Sequence, residues 1–277
     1  MSVWFVTGAS RGLGLEIVKA ALTRGDSVVA TARDPRAIEE ALGHSDTLLA
    51  LPLDVTSQEQ ADAAVRAAVA RFGGIDVLVN NAGRGLVGAV EETSDAEARA
   101  VFDINVFGLL TVLRAVTPVM RAARNGRILN ISSTGGVVAW AGWGVYSATK
   151  FALEGITEAL RLELAPLGIQ VTSVQPGPLR TDFLASSSLG QVERVIDDYA
   201  TTGGASREWA GENHGLQEGD PVKAAEAVLT VAGLPEMPAR LPLGTSTLTD
   251  IRTKIAAVGA DLETWQELSR STDVVPA

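Results

Sequence analysis

Short apolar runs alternate with longer, alanine-rich stretches along most of the chain. The apolar runs have the length of buried strands, and the alanine-rich stretches have the length and composition of helices. Strands that are apolar throughout suit a parallel sheet covered on both faces, with helical crossovers winding around both sides. The pattern predicts strands at residues 3–6, 27–32, 48–53, 75–79, 126–131, 169–175 and 240–243, and helices at 13–22, 58–72, 95–121, 146–165, 222–231 and 248–269.

We therefore predict an α/β fold of Rossmann type, a doubly wound parallel sheet forming a single domain over residues 1–277. Two segments depart from the alternation. Residues 183–220 are rich in serine, glycine and charge, with a weak helical run near 192–199, and are predicted to form a substrate loop or lid. Residues 244–277 form a predicted C-terminal helical extension whose apolar face we expect to be buried against the body, namely Leu248, Ile251, Ile255, Val258, Leu262, Trp265 and Leu268.

The composition excludes several classes of protein. There is no cysteine, and the two histidines, His44 and His214, lack the spacing of a zinc pair, so no metal site is expected. A formal net charge of -10 disfavours nucleic acid as a partner. We see no basic leader and no apolar span of about 20 residues, and so expect a cytoplasmic protein without a membrane segment.

A glycine-rich run directly follows the first predicted strand and opens the first predicted helix. Glycine permits a tight turn, and the N-H groups at the start of a helix favour a pyrophosphate. In this context the run predicts a dinucleotide-binding turn, although a purely structural turn is the alternative. Its candidate cofactor-binding residues are Gly8, Ser10, Arg11, Gly12, Leu13 and Gly14.

The end of the second predicted strand bears on the choice of nicotinamide cofactor. An acidic residue there would bind the adenosine ribose and repel a 2′-phosphate, but the chain has Ala32 followed by Arg33. The guanidinium groups of Arg33 and Arg11 could instead bind that phosphate, which favours NADP(H). The alternative is that Arg33 pairs with Asp34 or Glu16, and the proximity of Asp34 leaves NAD(H) open.

Tyr146 and Lys150 are four residues apart in a predicted helix and therefore share one face. A tyrosine with an ordinary pKa of about 10 is a poor base at neutral pH, and we expect the nearby ammonium to lower that pKa. Ser133 precedes this pair at the end of a predicted strand. Together these residue types suggest proton transfer to or from an oxygen.

The motifs resemble, over residues 3–183, the classical short-chain dehydrogenase/reductase family. The resemblance implies that Tyr146 is the general acid/base, Ser133 polarises the substrate oxygen, Lys150 tunes the tyrosine and holds the nicotinamide ribose, and Asn105 anchors a relay water. Ser133 is preferred over Ser132 because the family places its serine thirteen residues before the tyrosine. The motifs concerned are 7–14, Asp54-Val55, 80–83, Asn105, Ser132-Ser133, 146–150 and Pro176-Gly177 with Thr181.

The same resemblance implies further contacts with the cofactor and a homo-oligomer, dimeric or tetrameric, formed through helices 95–121 and 146–165. Asp54 would accept a hydrogen bond from the adenine, and Val55 would pack on its ring. The implied cofactor-binding residues beyond the glycine run and Arg33 are Asp54, Val55, Asn81, Ala82, Gly83, Tyr146, Lys150, Pro176, Gly177, Leu179 and Thr181.

The substrate pocket is expected above the carboxyl edge of the sheet, with apolar walls. The leading hypothesis is an NADP(H)-dependent reductase of a ketone or aldehyde, acting on a small molecule. The alternatives are a NAD-dependent secondary-alcohol dehydrogenase and a non-catalytic dinucleotide-binding regulator. The candidate substrate residues are Ser133, Tyr146, Trp140, Trp143, Phe183 and Leu184.

Overall fold

The computed structural model describes residues 1–274, and its centre is a seven-stranded parallel sheet. The strand order is β3-β2-β1-β4-β6-β7-β9, and two short strands, β5 and β8, pair separately. This is the predicted doubly wound α/β architecture. The strands are β1 Val3–Thr7, β2 Ser27–Ala32, β3 Leu48–Pro52, β4 Val77–Asn80, β5 Gly85–Val87, β6 Gly126–Ile131, β7 Ile169–Pro176, β8 Leu189–Gln191 and β9 Arg240–Leu243.

Helices connect these strands and cover both faces of the sheet. The predicted helix 95–121 is interrupted, because a π-helical segment, Asp103–Gly108, separates α4 from α5. The short helices α2 and α7 were not predicted. The helices are α1 Gly12–Thr23, α2 Arg36–Leu42, α3 Gln58–Phe72, α4 Asp95–Phe102, α5 Leu109–Ala123, α6 Gly144–Leu164, α7 Ala205–Glu212, α8 Pro221–Ala232 and α9 Thr245–Arg270.

The hydrophobic core forms two layers, one on each face of the sheet. In β1, Trp4 and Val6 belong to the layer beneath α1 and α8, whereas Phe5 belongs to the layer beneath α3 and α5. All three side chains are at most 1% exposed. Because successive strand residues point to opposite faces, a strand buried on both faces must be apolar throughout. The continuous apolar runs in the sequence thus have a direct structural cause.

The order of strands reverses between β1 and β4, which are neighbours in the sheet although far apart in sequence. Loops that leave the carboxyl ends of β1 and β4 run to opposite sides at this point, and a crevice opens between them. The fold therefore places the glycine-rich turn after β1 beside the segment that follows β4.

Residues 183–220 contain more regular secondary structure than their composition predicted. The weak helical run expected near 192–199 is wrong, since the residues there form a single 3₁₀ turn, Asp197–Tyr199, and the helix of this segment is α7. Strand β8 joins the segment to β5. A buried ion pair secures it further: Arg207 Nη1 lies 2.5 Å from Glu92 Oε2, and Ile196 N–H donates to Glu92 Oε1 at 2.9 Å.

The expectation that the C-terminal helix buries its apolar face is wrong. Of its residues, Thr247 is fully buried, but Ile255, Leu262, Trp265 and Leu268 are 58–68% exposed. The first turn of α9 contacts the body, and the helix then projects beyond it. The last three residues of the predicted extension, 275–277, lie outside the described residues.

One helical stretch, Asp95–Ala123, has the length and composition of a membrane span, which the sequence analysis did not identify. Half of its most apolar window is buried inside the protein. Several of its side chains, mainly from α5, belong to the core layer that α3 and α5 form against the sheet. This burial is typical of a core helix.

Replacing Glu92 with Gln should release residues 183–220 from the body. The guanidinium of Arg207 and two backbone N–H groups lower the pKa of Glu92 from 4.5 to about 2. A carboxyl group whose pKa is lowered by folding stabilises the fold at every pH above its ordinary pKa. For Glu92 this contribution is lost as the pH falls from 4.5 toward 2. E92Q should therefore melt several degrees below the wild type at pH 7, and the difference should shrink toward pH 3.

The measurement is thermal unfolding followed by tryptophan fluorescence across this pH range. Glu212→Gln, on the exposed surface of α7, is the matched control and should melt like the wild type. Equal melting of E92Q and E212Q at pH 7 would contradict a stabilising role for the Glu92–Arg207 pair.

Candidate active site

A cavity of about 1220 Å³ opens at the carboxyl edge of the sheet. It brings together side chains that are far apart in the chain, such as Arg11 and Ser187, which are separated by 176 residues. Of the predicted site residues, Gly14 and Asn105 lie behind the cavity wall. The others border it: Gly8, Ser10, Arg11, Gly12, Leu13, Arg33, Asp54, Val55, Asn81, Ala82, Gly83, Ser133, Trp140, Trp143, Tyr146, Lys150, Pro176, Gly177, Leu179, Thr181, Phe183 and Leu184.

The glycine-rich turn has a shape that larger residues could not adopt. Gly8 and Gly12 have φ of 64° and 56°, in the region that favours glycine. A Cβ on Gly14 would lie 2.4 Å from Asn81 Nδ2 and 2.5 Å from the Gly8 carbonyl oxygen. Asn81 Nδ2 donates to the carbonyl oxygens of Thr7 and Gly8, at 2.9 and 3.0 Å. The turn is therefore held against β4, with the first N–H groups of α1 free to bind an anion.

Tyr146 is buried between aromatic side chains. Its ring lies 5.9 Å from that of Trp143 and 5.8 Å from that of Phe183, measured between centroids. Burial raises the pKa of Tyr146 to about 12, and a hydrogen bond with Ser133 offsets this in part. The expectation that Lys150 lowers this pKa is wrong: burial dominates the shift, and it is the Ser133 hydrogen bond that opposes it. The phenol is therefore protonated at neutral pH and can donate a proton.

Lys150 is also buried, and its ammonium lies 5.9 Å from the centroid of the Tyr146 ring. Burial lowers the pKa of Lys150 to about 8, although the carboxylate of Glu154 opposes the shift. Lys150 Nζ donates to the Ile131 carbonyl oxygen at 2.9 Å. An ammonium has three donors, so this contact fixes Lys150 while leaving capacity for a ligand's hydroxyl groups.

The Asn105 side chain positions the backbone that follows β4. Its Oδ1 accepts from Arg84 N–H at 2.9 Å, and its Nδ2 donates to the Arg84 carbonyl oxygen at 2.9 Å and to Thr149 Oγ1 at 3.0 Å. Asn105 lies in the π-helical segment, where wider hydrogen bonding alters the helix backbone. Because both hydrogens of the side-chain amide are engaged, a water bound by Asn105 would donate to Oδ1 or to the backbone carbonyl oxygen.

Arg33 and Arg11 occupy different surroundings. Neither of the partners considered for Arg33 is paired with it, since Asp34 binds Arg36 at 2.6 Å and Glu16 binds Lys19 at 2.8 Å. Arg33 is exposed at the end of β2 and borders the cavity. The guanidinium of Arg11 reaches in another direction and donates to the Ser187 and Ser188 hydroxyls, both at 2.8 Å.

Comparison with known proteins agrees with this geometry. The sequence model of the short chain dehydrogenase family matches residues 2–191. The chain belongs to the short-chain dehydrogenase/reductase family. It is 38% identical to oxidoreductase BOA17 of Botryotinia fuckeliana, over 96% of this chain and 97% of that protein. A short-chain dehydrogenase from Streptomyces avermitilis is 40% identical, with a TM-score of 0.91 over 99% of this chain and 100% of the other.

Several similar solved structures contain a nicotinamide dinucleotide. A variant of the actinorhodin polyketide ketoreductase, solved with NADPH, is 33% identical and has a TM-score of 0.75 over 89% of this chain and 97% of the other. Other similar structures hold NADP+ or NADH. This short-chain dehydrogenase/reductase is accordingly an NAD(P)-dependent oxidoreductase that acts on alcohol or carbonyl groups.

Asp54 makes a turn in this dehydrogenase/reductase. Its Oδ1 accepts from the Thr56 N–H at 3.0 Å and from the Thr56 hydroxyl at 2.7 Å, and these bonds lower the pKa of Asp54. Asp54 therefore has a structural role in the turn that follows β3. Its second carboxylate oxygen is available for an adenine amino group.

Sequence reasoning missed Gln217, which the structure places in the wall of the cavity. The side chain is 4% exposed, and its Nε2 donates to the Thr181 carbonyl oxygen at 3.2 Å. This contact orients the amide, so Oε1 is an acceptor, and it is buried without a partner among the described residues. Gln217 lies outside every motif, in the segment of least regular pattern, and no local signal identified it.

Gly14→Ala should weaken dinucleotide binding. The added methyl group would meet the Asn81 amide and the Gly8 carbonyl oxygen below contact distance, so the turn must shift. We expect a lower melting temperature. We also expect NADPH affinity to fall at least about tenfold, which corresponds to the free energy of one lost charge-assisted hydrogen bond. Gly155→Ala is the control, because its Cβ meets nothing within 4 Å and it lies inside α6. Normal NADPH binding by G14A would contradict the close packing of the turn.

Proposed function

We propose that this protein is an NADP(H)-dependent reductase that converts a ketone or aldehyde to an alcohol, by a reversible reaction. The observation that supports the proposal most directly is a protonated, buried Tyr146 that faces the same cavity as Ser133, Lys150 and the glycine-rich turn. A carbonyl oxygen that gains negative charge needs a proton donor in a dry site. Burial makes Tyr146 such a donor.

Tyr146 and Ser133 act on the substrate oxygen. The Ser133 hydroxyl accepts from Gly135 N–H at 3.0 Å, which fixes its position and leaves its hydrogen free to donate. In reduction, Ser133 and Tyr146 donate hydrogen bonds to the carbonyl oxygen, and the Tyr146 proton moves to it as negative charge develops. In oxidation, the tyrosinate takes the proton back. A bound nicotinamide supplies or accepts the hydride.

Lys150 and Asn105 support the proton donor. The Lys150 ammonium would stabilise the tyrosinate left after transfer, and its remaining donors would hold the nicotinamide ribose. Asn105 fixes the backbone at Arg84, and we propose that its own carbonyl holds the water that returns a proton to the site.

The dinucleotide would extend along the carboxyl edge of the sheet. Its pyrophosphate would bind the glycine-rich turn at the N-terminus of α1. Asp54 and Val55 would contact the adenine, and 81–83 the adenosine ribose. The nicotinamide end would be bordered by Pro176, Gly177, Leu179 and Thr181.

We propose a preference for NADP(H) because Arg33 is exposed at the cavity and forms no ion pair among the described residues. Beyond the hydrogen bonds from Thr56, its charge acts at longer range on the Asp54 carboxylate and contributes to lowering the pKa of Asp54. Asp34, the residue that kept NAD(H) open, is engaged by Arg36 through two nitrogens, at 2.9 and 2.6 Å. Arg11 contributes less than expected in this conformation, because its guanidinium is bound by Ser187 and Ser188. The NAD-dependent alternative remains the second candidate for this reason.

The substrate is proposed to be a bulky apolar or aromatic carbonyl compound. Trp143 and Phe183 flank Tyr146 on two sides, and Trp209 packs edge-on against Trp143 at 6.4 Å between centroids. Leu184 lies in the same apolar cluster as Trp143, whereas Trp140 is 43% exposed at the rim. Gln217 Oε1 offers an acceptor, so we expect a donor group on the bound molecule.

Residues 183–220 would act as the lid of this site. Arg11 lies in the glycine-rich turn, and its guanidinium donates to Ser187 and Ser188 of the lid. The same side chain therefore contacts both the lid and the proposed cofactor site. A bound dinucleotide phosphate would compete for that guanidinium and so couple cofactor binding to lid position.

We further propose that the protein is a cytoplasmic homo-oligomer. Phe107 in the π-helical segment is 56% exposed, and Phe151 and Leu162 in α6 are 43% and 74% exposed. These apolar residues lie on the two helical regions named for the interface, and burying them against a second copy would stabilise a dimer.

Tyr146→Phe tests the reductase proposal. It removes the donated proton but keeps the ring, so turnover of a ketone panel should fall about 100- to 10,000-fold while the NADPH dissociation constant changes little. Tyr199→Phe is a matched control, because Tyr199 is the other tyrosine and its hydroxyl donates to Glu91 at 2.6 Å on the surface. Turnover preserved in Y146F would rule out the proposed acid.

Arg33→Ala tests the cofactor preference. Losing a charge-assisted contact with the 2′-phosphate should raise KM for NADPH about tenfold or more, with little effect on KM for NADH. Arg66→Ala, on the exposed face of α3, should change neither value. An equal effect of R33A on both cofactors would show that Arg33 does not bind the phosphate.

A further inference from the structure

Helix α9 projects from the body as a single helix of 26 residues, about 39 Å long. From Arg252 to Arg270 every residue except Gly259 is exposed. An isolated helix of this length gains little from its own hydrogen bonds, and most helices are stabilised by packing an apolar face. The projecting part of α9 packs on nothing within the described chain, so its stability calls for another molecule.

The apolar residues of α9, all exposed except the half-buried Ile251, follow the spacing of a coiled-coil seam. Leu248, Ile251, Ile255, Val258, Leu262 and Trp265 are separated alternately by three and four residues, as at the a and d positions of a heptad. A strict a/d stripe is narrower than the face that a helix presents to a globular core. The pattern therefore fits a second helix better than a sheet or a broad surface.

Gly259 flanks this seam, one position after Val258. A Cβ added to Gly259 would meet nothing within 4 Å, so no packing within the chain requires glycine there. Glycine beside the seam leaves room for a facing helix.

The charges of α9 are unevenly divided between its two halves. The first half carries Asp250, Arg252 and Lys254, for a net charge of +1, and the second half carries Asp261, Glu263, Glu267 and Arg270, for a net charge of -2. Two copies side by side in parallel would place like charges together, whereas antiparallel copies place each basic half beside an acidic half. Antiparallel pairing also puts the two protein bodies at opposite ends of the helix pair.

We propose that α9 pairs with α9 of a second copy of this chain as a short antiparallel coiled coil. In the symmetric register, Leu248 of one helix lies opposite Trp265 of the other, Ile251 opposite Leu262, and Ile255 opposite Val258. Lys254 of one helix then lies near Asp261 of the other. This register is centred between Ala256 and Ala257.

The seam is shorter than three full heptads, so the pair is weak by itself, with a dissociation constant of roughly 1 to 100 µM. The surface is distinct from that of Phe107, Phe151 and Leu162. Two different two-fold interfaces on one chain join dimers into larger closed assemblies. The α9 pair would therefore double the mass of whatever unit the other surface forms.

Light scattering of the full chain across this concentration range tests the proposal. The wild type should double in mass as concentration rises, and Leu262→Glu should stay at the lower mass. Thr253→Glu adds the same charge on the outer face of α9 and should behave like the wild type. A wild type of constant mass, or an L262E variant that still doubles, would overturn the proposal. Leu162→Glu should alter the other surface and leave the doubling intact.

Cysteine cross-linking tests the orientation without weakening the seam by charge. The chain has no cysteine, so single-cysteine variants give an unambiguous product. A mixture of Ile251→Cys and Leu262→Cys proteins should form a disulfide between the two variants under mild oxidation, and each variant alone should cross-link poorly. Cross-linking of each variant with itself, or none in the mixture, would overturn antiparallel pairing.

Discussion

The parallel pairing of all seven main-sheet strands is the constraint on which the rest of the structure depends. It requires helical crossovers, apolar strands and a carboxyl edge where every following loop emerges. The glycine-rich turn, Ser133 and Pro176-Gly177 follow three different strands and meet at that edge for this reason. The crevice at the reversal of strand order then leaves room for a long, anionic ligand.

Burial gives this edge its chemistry. The same apolar surroundings that raise the pKa of Tyr146 to about 12 lower the pKa of Lys150 to about 8. Each shift disfavours the charged form of its group. The tyrosine therefore retains a proton to donate, and the tyrosinate formed on donation depends on nearby positive charge. The desolvated environment thus keeps the tyrosine neutral, whereas the Lys150 ammonium persists at neutral pH in spite of it, since its pKa of about 8 still lies above 7.

The sequence predicted best those elements whose bounds depend on residues close together in the chain. Strand 126–131 and helix 58–72 were placed to the residue, because apolar runs and the Ser57 and Gly73 caps define them. Partners distant in sequence were not predictable: Glu92 and Arg207 are 115 residues apart, and Arg11 binds the lid. The spacing of apolar residues in α9 indicated an apolar face but not what covers it. Similarly, Gln217 is positioned by contacts with residues distant in sequence, Arg180 and Thr181.

The most direct test of the account is a titration of tryptophan fluorescence with NADPH and NADH. Trp140, Trp143 and Trp209 border the cavity, and a reduced nicotinamide bound there would quench their emission. The account predicts saturable quenching at one site per chain, with tighter binding of NADPH. Absence of quenching by either dinucleotide up to about 1 mM would contradict the assignment of this cavity as the cofactor site.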